Sequence, residues 1–328
     1  MHLKHVHHPH LRLLLSIGGW TFSAPLALAA STPARRAAFA DSVLRLLKMY
    51  DLDGIDIDWE YPSSPAEGEA LVELVRTVRG VFDAAFISGS ASSTSRGTSS
   101  GLARCTEPYL LTLAAPSSSW TARHVPIAAL DAYIDVWNVM AYDFSGPWAP
   151  VTGHAANLHP GYGTDWSVAQ AVGIYRDADV AGQKIVLGCP LFGRQFIGTG
   201  GLGSKFEGVG TQGSWEGGCW DYKALPLTVS EQDERLSEGD GRAGGVPGGP
   251  PVHTNTTLGA SWQYIPARDG GTLVTYDDVT VARMKARWVL EQGLGGVMWW
   301  ESSGDRRQGE GSIIEAVAAV LMEAEEGG

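Results

Sequence analysis

Cysteine is scarce in this chain: only Cys105, Cys189 and Cys219 occur among its 328 residues. Three scattered thiols are too few for the disulfide framework of a small secreted domain, and their spacing does not match a zinc site. Cys189 lies in an apolar run and is expected to be a buried core residue. The sequence leaves one disulfide among the three open.

Positive charge is also in short supply. The chain has 24 Lys and Arg against 36 Asp and Glu, a formal net charge of −12. A nucleic-acid-binding protein would show a basic patch, so this composition argues against that class. No apolar run reaches the roughly 18 residues that a membrane-spanning helix needs, so no membrane partner is expected. Hydrophobic residues make up 44% and charged residues 18%, which indicates a folded globular protein.

Several common motifs are missing or out of context. The HExxH and P-loop patterns do not occur. Residues 198–203 fit GxGxxG, but the segment after them, residues 204–210, has no helical pattern, so a loop is predicted rather than a dinucleotide site. Residues 1–10 hold five histidines and no apolar core, which argues against a secretory signal. Solvated surface is favoured over a metal site there.

The most informative feature that is present is residues 53–60, an alternation of carboxylates with apolar side chains. Successive side chains on a β-strand point to opposite faces, so Asp56, Asp58 and Glu60 share one face. Neighbouring carboxylates on that face lie about 6–7 Å apart along the strand. Their repulsion raises the pKa of at least one, which can then stay protonated near neutral pH. That is the property a general acid needs.

Two other interpretations of this segment are weaker. A solvated acidic strand would carry no chemistry. A calcium-binding EF-hand loop needs Gly at its sixth position and a bidentate Glu at its twelfth, between two helices. The β-branched, alternating residues do not fit that loop.

Tryptophan is abundant, with 12 residues. The indole ring offers a flat apolar face with a polar edge, which suits stacking on sugar rings. Core packing is nevertheless predicted for most of them.

Short apolar runs alternate with helical patterns along the chain. The predicted strands are Leu11–Gly19, Gly54–Glu60, Leu110–Pro116, Asp135–Asp143, Lys184–Pro190 and Gly295–Glu301. The predicted helices are Pro33–Tyr50 (with Thr32 as N-cap), Glu67–Phe86, Ser167–Ala181 and Val279–Gln292. This alternation indicates a parallel sheet with helical crossovers.

Functional-looking side chains follow many of these strands. They are Trp20, Glu60, Tyr142, Asp143, Arg194, Trp300 and Glu301. The carboxyl ends of the strands carry the active site of a (β/α)₈ barrel. An open doubly wound sheet has its site at one switch point, so such residues at many strand ends favour the barrel.

The strand–helix alternation stops at about residues 195–271. Two runs there, Ala260–Ile265 and Thr272–Tyr276, predict a hairpin with Asp269-Gly270 in its turn. They indicate a small inserted α+β subdomain. Two low-complexity segments, Ser88–Gly101 and Ser237–Pro251, are predicted to be loops.

Five segments together resemble the motifs of glycoside hydrolase family 18, the chitinases, and its fungal branch in particular. Ser16–Trp20 resembles the SxGG motif of the family's third strand, and Asp53–Glu60 the DxxDxDxE motif of the fourth. Met140–Asp143 resembles the MxYD motif of the sixth. Pro190–Arg194 is similar to the PLYGR motif of the seventh, with Phe in place of Tyr. Met298–Glu301 resembles the eighth-strand motif.

The resemblance covers about residues 11–320 and implies an α/β fold, the (β/α)₈ TIM barrel. Residues 1–194 and 272–328 would form the barrel, and residues 195–271 a chitinase insertion domain. Because the resemblance starts at the family's third strand, we expect an N-terminally truncated barrel with about six strands. It also implies an extracellular monomer that binds chitin or chito-oligosaccharides and requires no metal or organic cofactor.

The family's mechanism is substrate-assisted and retaining, and it cleaves β-1,4 linkages between N-acetylglucosamine units. The resemblance implies that Glu60 is the general acid and base and that Asp58 orients the acetamide group. Asp56 would share a proton or hydrogen bond with Asp58, and Tyr142 would donate to the acetamide oxygen. Asp53 does not share the two-residue spacing of Asp56, Asp58 and Glu60, so its side chain would not lie on their face of the strand, and it is predicted to be structural.

Other sugar contacts are implied in the same way. The substrate-binding residues would be Met140, Asp143 at the same sugar as Tyr142, Trp300 as the apolar floor under that sugar, and Arg194 at sugar hydroxyls or the insertion domain. Trp20 and Trp148 are expected either in neighbouring subsites or in the core.

Two other functions stay open. A catalytically impaired, lectin-like protein would bind chito-oligosaccharides without cleaving them. The absent strands favour it, although such proteins usually lose the acid that Glu60 supplies here. An endo-β-N-acetylglucosaminidase that acts on N-glycans shares the catalytic motif, but residues 153–158 and the insertion resemble the fungal chitinases, which makes it the weaker alternative. Asn255-Thr256-Thr257 is an N-glycosylation sequon, relevant if the protein is secreted.

Overall fold

The computed structural model describes residues 3–8, 10–91, 107–161, 166–227, 250–268 and 270–326. The chain divides into two compact units. Unit 1 comprises Met1–Asn138 and Tyr175–Lys184, and unit 2 comprises Val139–Ile174 and Ile185–Gly328. Cys105, the predicted turn residue Asp269 and most of the two predicted low-complexity loops lie outside the described residues.

Four neighbouring strands start the parallel sheet of unit 1. They are β1 (Leu14–Gly18), β2 (Gly54–Asp58), β3 (Leu110–Ala115) and β4 (Val136–Val139). β1 pairs with β2, and β2 with β3, in parallel register. On β2, Ile55 and Ile57 are fully buried and Trp59, just after the strand, is also buried. This confirms the predicted apolar face and leaves the carboxylates on the other.

Helices follow the strands of unit 1. They are α1 (Ala24–Ala30), α2 (Pro33–Tyr50), α3 (Pro65–Ala91), α4 (Ser119–Ala122) and α5 (Ile127–Asp131). The predicted N-cap is confirmed, because Thr32 Oγ1 accepts a hydrogen bond from Arg35 N at 3.3 Å. α3 is longer than predicted and includes Ser88–Ala91, the start of a predicted loop. Ser88 Oγ donates back to Ala84 O at 2.8 Å, a bond that is compatible with continued helix.

Unit 2 contains one parallel strand pair and one antiparallel sheet. The parallel pair is β5 (Ile185–Pro190) with β11 (Gly296–Trp300). The antiparallel sheet has the order β7-β6-β10-β9-β8. Its strands are β6 (Phe192–Thr199), β7 (Cys219–Asp221), β8 (Val252–Asn255), β9 (Ala260–Ile265) and β10 (Gly271–Tyr276). β9 and β10 are the predicted hairpin, which is confirmed.

The remaining helices are α6 (Val168–Arg176), α7 (Val279–Glu291) and α8 (Ile313–Glu326). Shorter π- or 3₁₀-helical turns lie at Leu3–His7, Gly182–Lys184, Tyr222–Ala224 and Ser302–Gly304. α7 begins where Asp278 Oδ1 accepts from Val281 N at 2.8 Å. None of the described helices combines the length and apolarity needed to cross a membrane.

A strand therefore occurs at each of the six predicted positions in the described part of the chain. The antiparallel sheet extends from Phe192 to Tyr276, slightly beyond the predicted insertion at residues 195–271. The division into barrel and insertion stays a prediction. Cys189 is buried, as predicted, and both Cys189 and Cys219 are free thiols.

Candidate active site

The loop after β1 and the end of β2 are held together by backbone contacts. Gly19 N donates to Asp58 O at 2.8 Å. A Cβ on Gly18 would lie 2.0 Å from the same oxygen, and Gly18 has a φ of 122°. Only glycine fits such an approach and such a φ. The glycine of the SxGG motif at position 18 is therefore required for the loop after β1 to approach the backbone of Asp58.

Ser23, which the sequence reasoning missed, also links the two segments. Its Oγ accepts from Glu60 N at 2.7 Å. The same Oγ donates to Gly19 O at 3.0 Å and lies 3.4 Å from Asp58 O. The hydroxyl thus fixes the backbone on which Asp58 and the half-buried Glu60 stand. No recognised motif contains this serine, and only the fold brings it to β2.

The carboxylate of Asp56 accepts three side-chain hydrogen bonds. Its Oδ1 accepts from Thr112 Oγ1 at 2.6 Å and from Asn138 Nδ2 at 3.0 Å. Its Oδ2 accepts from Ser16 Oγ at 3.2 Å. These donors lie on β1 and β3, the neighbours of β2, and on β4 beyond β3, so three other strands orient this carboxylate. In this conformation Asp56 takes its hydrogen bonds from them rather than from Asp58.

Asp58 has the opposite surroundings. The residue is 8% exposed, and its buried Oδ1 has no hydrogen-bond partner among the described residues. Burial, and then the negative charges of Glu60 and Asp56, raise its pKa from 3.8 to about 7. The raised pKa that the sequence predicted for at least one of these carboxyls thus falls on Asp58, and burial contributes more to it than the predicted repulsion.

Asp53 has different contacts from Asp56, Asp58 and Glu60, as its position in the strand alternation predicts. Its Oδ1 accepts from Lys4 Nζ at 2.8 Å, and its Oδ2 accepts from Leu13 N at 2.7 Å. Arg12 Nη1 lies 3.9 Å from Oδ1. The carboxylate ties the lead-in of β1 to the start of β2, which is a structural task.

Unit 2 brings together a second group of predicted residues. Met140 and Tyr142 are buried, and the Tyr142 ring meets Phe192 edge-on at 5.9 Å between centroids. A Cβ on Gly188 of β5 would lie 2.9 Å from Met298 Cε and 3.0 Å from Tyr142 Cε1. Glycine at this position makes room for both side chains.

Asp143 and Arg194 form a two-point ion pair. Arg194 Nε donates to Asp143 Oδ1 at 2.8 Å, and Nη2 donates to Oδ2 at 2.9 Å. Arg194 Nη1 also donates to Glu216, a residue that the sequence reasoning missed. Burial lowers the pKa of the guanidinium, but the bonds and charge of Asp143 outweigh it, and the net shift is upward. Arg194 therefore stays charged and holds Asp143 in place.

The predicted sugar-stacking tryptophans are exposed: Trp20 by 78%, Trp148 by 60% and Trp300 by 58%. Core packing is thus wrong for Trp20 and Trp148. The Arg194 guanidinium lies 5.6 Å from the Trp148 ring centre. Of the 12 tryptophans, Trp59 and Trp137 are buried, and five others are half-buried. Two of the half-buried rings, Trp220 and Trp299, pack against the core of unit 2.

The described part of the chain contains no group of three or more His, Cys, Asp or Glu side chains placed to hold a metal ion. The site chemistry of the described residues rests on carboxylates, hydroxyls, one guanidinium and indole rings. Unit 1 groups Asp56, Asp58 and Glu60, and unit 2 groups Met140, Tyr142 and the Asp143–Arg194 pair.

Comparisons with known proteins agree with the motifs. The family model Glycosyl hydrolases family 18 matches residues 1–305. Endochitinase 1 of Metarhizium robertsii is 36% identical over 93% of this chain and 64% of that protein. Chitinase 1 of Aphanocladium album is 34% identical over the same shares. The chain thus spans a little under two thirds of these curated relatives.

Solved structures agree in fold. A family 18 N-acetylglucosaminidase from Paenibacillus barengoltzii is 28% identical with a TM-score of 0.76, over 97% of this chain and 85% of that one. A class V chitinase from Nicotiana tobaccum is 25% identical with a TM-score of 0.75, over 95% and 81%. The fold is therefore the predicted truncated (β/α) barrel with an insertion, not an open doubly wound sheet. The chain belongs to glycoside hydrolase family 18.

Proposed function

We propose that this chain hydrolyses β-1,4 linkages between N-acetylglucosamine units of chitin by substrate-assisted, retaining catalysis. The observation that carries the proposal is the acidic face of β2. There the buried Asp58, with one oxygen that has no partner among the described residues, lies between the hydrogen-bonded Asp56 and Glu60. Membership of family 18 and the names of the fungal relatives support the substrate class.

The first chemical step needs a proton donor and an internal nucleophile. Glu60 protonates the glycosidic oxygen as the acetamide oxygen of the substrate attacks the anomeric carbon, and the glycosidic C–O bond breaks. An oxazolinium ion forms and the sugar on the leaving side departs. Glu60, now ionised, takes a proton from water, which opens the oxazolinium ring with net retention.

Asp58 is proposed to orient the acetamide. Its buried Oδ1 has no partner among the described residues, so a rotation of the side chain that exposes this oxygen to an acetamide N–H would break no existing hydrogen bond of Oδ1. The positive oxazolinium would then favour the ionised form of Asp58. Asp56, fixed by its three donors, supplies part of the negative charge that raises the pKa of Asp58 in the absence of substrate.

Roles in unit 2 are proposed from the motifs. Tyr142 donates to the acetamide oxygen, Asp143 and Met140 contact the same sugar, and Trp300 supplies its apolar floor. The ion pair changes the role proposed for Arg194, which was a contact with sugar hydroxyls or the insertion domain. Because Arg194 donates two hydrogen bonds to Asp143, it acts as a positioning residue for Asp143. Exposed Trp20 and Trp148 offer faces for neighbouring sugars. We propose an extracellular monomer that requires no cofactor.

The decisive test is product release from a soluble chito-oligosaccharide by the wild-type chain and by Glu60→Gln. Glu69→Gln is the matched control, since Glu69 is exposed on α3 and undergoes the same chemical change. We expect turnover in the wild type and in the control, and a loss of at least about a hundredfold in Glu60→Gln, with sugar affinity retained.

Two outcomes would contradict the proposal. A folded wild-type chain that binds the oligosaccharide without turnover would point to the lectin-like alternative. Equal turnover in wild type and Glu60→Gln would remove Glu60 from the role of proton donor.

A further inference from the structure

The chain contains three asparagines, Asn138, Asn157 and Asn255, and only the last stands in an N-x-Ser/Thr sequon. We propose that Asn255 carries an N-linked glycan whenever the chain passes through a eukaryotic secretory pathway. This modification is independent of the proposed hydrolysis. Its support is the contrast between the hydrogen bonds of the three side-chain amides.

Two of the amides are committed to the fold. Asn138 Nδ2 donates to Asp56 Oδ1 at 3.0 Å. Asn157 is 1% exposed, and its Nδ2 donates to His159 O at 2.7 Å and Trp166 O at 3.1 Å. A sugar on Asn157 Nδ2 would replace one of the two protons that make these bonds, and a sugar on Asn138 Nδ2 would crowd its partly buried contact with Asp56.

The amide of Asn255 is arranged differently. Its Oδ1 accepts from Thr257 N and from Leu258 N, both at 3.0 Å. N-glycosylation leaves the amide oxygen in place, so both bonds survive it. The nitrogen makes no hydrogen bond among the described residues that a glycan would break. Thr254, Thr256 and Thr257 around it are exposed, and the folded turn therefore tolerates a bulky substituent.

The turn is also fixed in the fold. Leu258 O accepts from His159 N at 2.9 Å, and Gly259 O accepts from Leu158 N at 3.1 Å. Asn255 ends β8, the outer strand of the antiparallel sheet as the described residues define it. An outer strand exposes unpaired backbone groups that other chains can pair with. A glycan on Asn255 would shield the end of that strand.

The modification is a group transfer. The Asn255 Nδ2 forms a bond to the anomeric carbon of the first N-acetylglucosamine of a lipid-pyrophosphate-linked oligosaccharide. The bond from that carbon to the pyrophosphate oxygen breaks, and the lipid pyrophosphate leaves with the electron pair. The amide nitrogen loses one proton. A membrane-bound oligosaccharyltransferase supplies the catalysis.

The test expresses the full chain in a eukaryotic host behind a secretory leader, with a C-terminal tag that carries a sequon of its own. Only molecules that bear the tag glycan are scored, since they have met the transferase. An amidase that removes N-glycans and leaves aspartate in place of asparagine identifies the modified residue by mass spectrometry.

We expect a second glycan on the wild type and on Thr256→Ala, which keeps the sequon. We expect its loss in Asn255→Gln and in Thr257→Ala. Thr257→Ala keeps the Asn255 turn, because only the backbone N of Thr257 takes part in it. Wild-type molecules with the tag glycan alone would overturn the proposal, as would a second glycan that persists in Thr257→Ala.

Discussion

The acidic face of β2 and the Asp143–Arg194 pair hold their carboxylates in opposite ways. Asp143 is bound at both oxygens by a guanidinium. Asp58 is buried with one oxygen unpartnered among the described residues and with two like charges beside it. The first arrangement is stable and leaves little to react. The second costs stability, and in the proposed mechanism it belongs to the group that takes part in the chemistry, while the Arg194 pair positions Asp143.

The largest expected effect is on Asp58. Asp58→Asn should lower kcat by about a hundredfold or more, because the oxazolinium loses its negative partner. Asp41→Asn, on the exposed face of α2, is the matched control. Steady-state turnover of a chito-oligosaccharide measures both. Wild-type turnover in Asp58→Asn would contradict the proposed role of Asp58 in the chemistry.

The same variant should be more stable than the wild type at pH 8. The pKa of Asp58 is raised from 3.8 to about 7, so its contribution to stability is present below 3.8 and is lost as the pH rises through about 7. Replacing it with a neutral amide removes that loss, which amounts to about 3 kcal/mol between pH 5 and pH 8. Thermal unfolding at pH 5 and pH 8 should show a smaller pH dependence in the variant.

His154 in unit 2 should give the opposite sign. It is 1% exposed, neither ring nitrogen has a partner among the described residues, and burial lowers its pKa from 6.5 to about 4. Its contribution is present above 6.5 and is lost as the pH falls through about 4, by up to about 3 kcal/mol. His154→Gln should flatten this acid limb. His253→Gln is the control, because the exposed His253 stacks on the same Trp262. An unchanged acid limb in His154→Gln would contradict the assignment.

Arg194→Lys keeps the charge and loses the two-point geometry. We expect the free energy of unfolding to fall by about 1–2 kcal/mol, since lysine cannot reproduce the paired bonds to Asp143. Arg123→Lys is the control, because Arg123 lies over the exposed Trp120 ring at 3.8 Å. Chemical denaturation compares them. Equal stability of the two variants would show that the Asp143 pair contributes no more than a surface contact.

The smallest expected effect is on sugar stacking. Trp300→Ala, made in the Glu60→Gln background to prevent hydrolysis, should weaken oligosaccharide binding about five- to tenfold, or ~1 kcal/mol. Trp120→Ala is the control, since Trp120 is also exposed, by 68%. Calorimetry gives both dissociation constants. Unchanged affinity in Trp300→Ala would remove that ring from the substrate-binding residues.

Local rules predicted a large part of the fold. Period-two alternation identified β2 and its two faces, and the Thr32 cap with Pro33 gave the start of α2. The end of α3 was missed, because low-complexity residues such as Ser88 can still bond within a helix. Long-range partners had no local signal. The donors to Asp56 lie 40 to 82 positions away in sequence, so the hydrogen-bond state of each carboxylate required the fold.

Core packing failed for Trp20 and Trp148 for a related reason. The ring is apolar, so composition favours the core, yet Trp20 follows β1 and Trp148 lies in the loop after β4, and both are exposed. The resemblance named the residues of the site, while the structure adds Ser23, Thr112, Asn138 and Glu216. None of these four is among the residues that the motifs single out for chemistry.

Ser23 has a mechanical consequence. Its single oxygen contacts the backbone of the loop after β1 and the backbone amide of Glu60. One hydroxyl therefore couples two segments that lie far apart in sequence, and its removal would loosen the loop and the backbone under Glu60 at the same time.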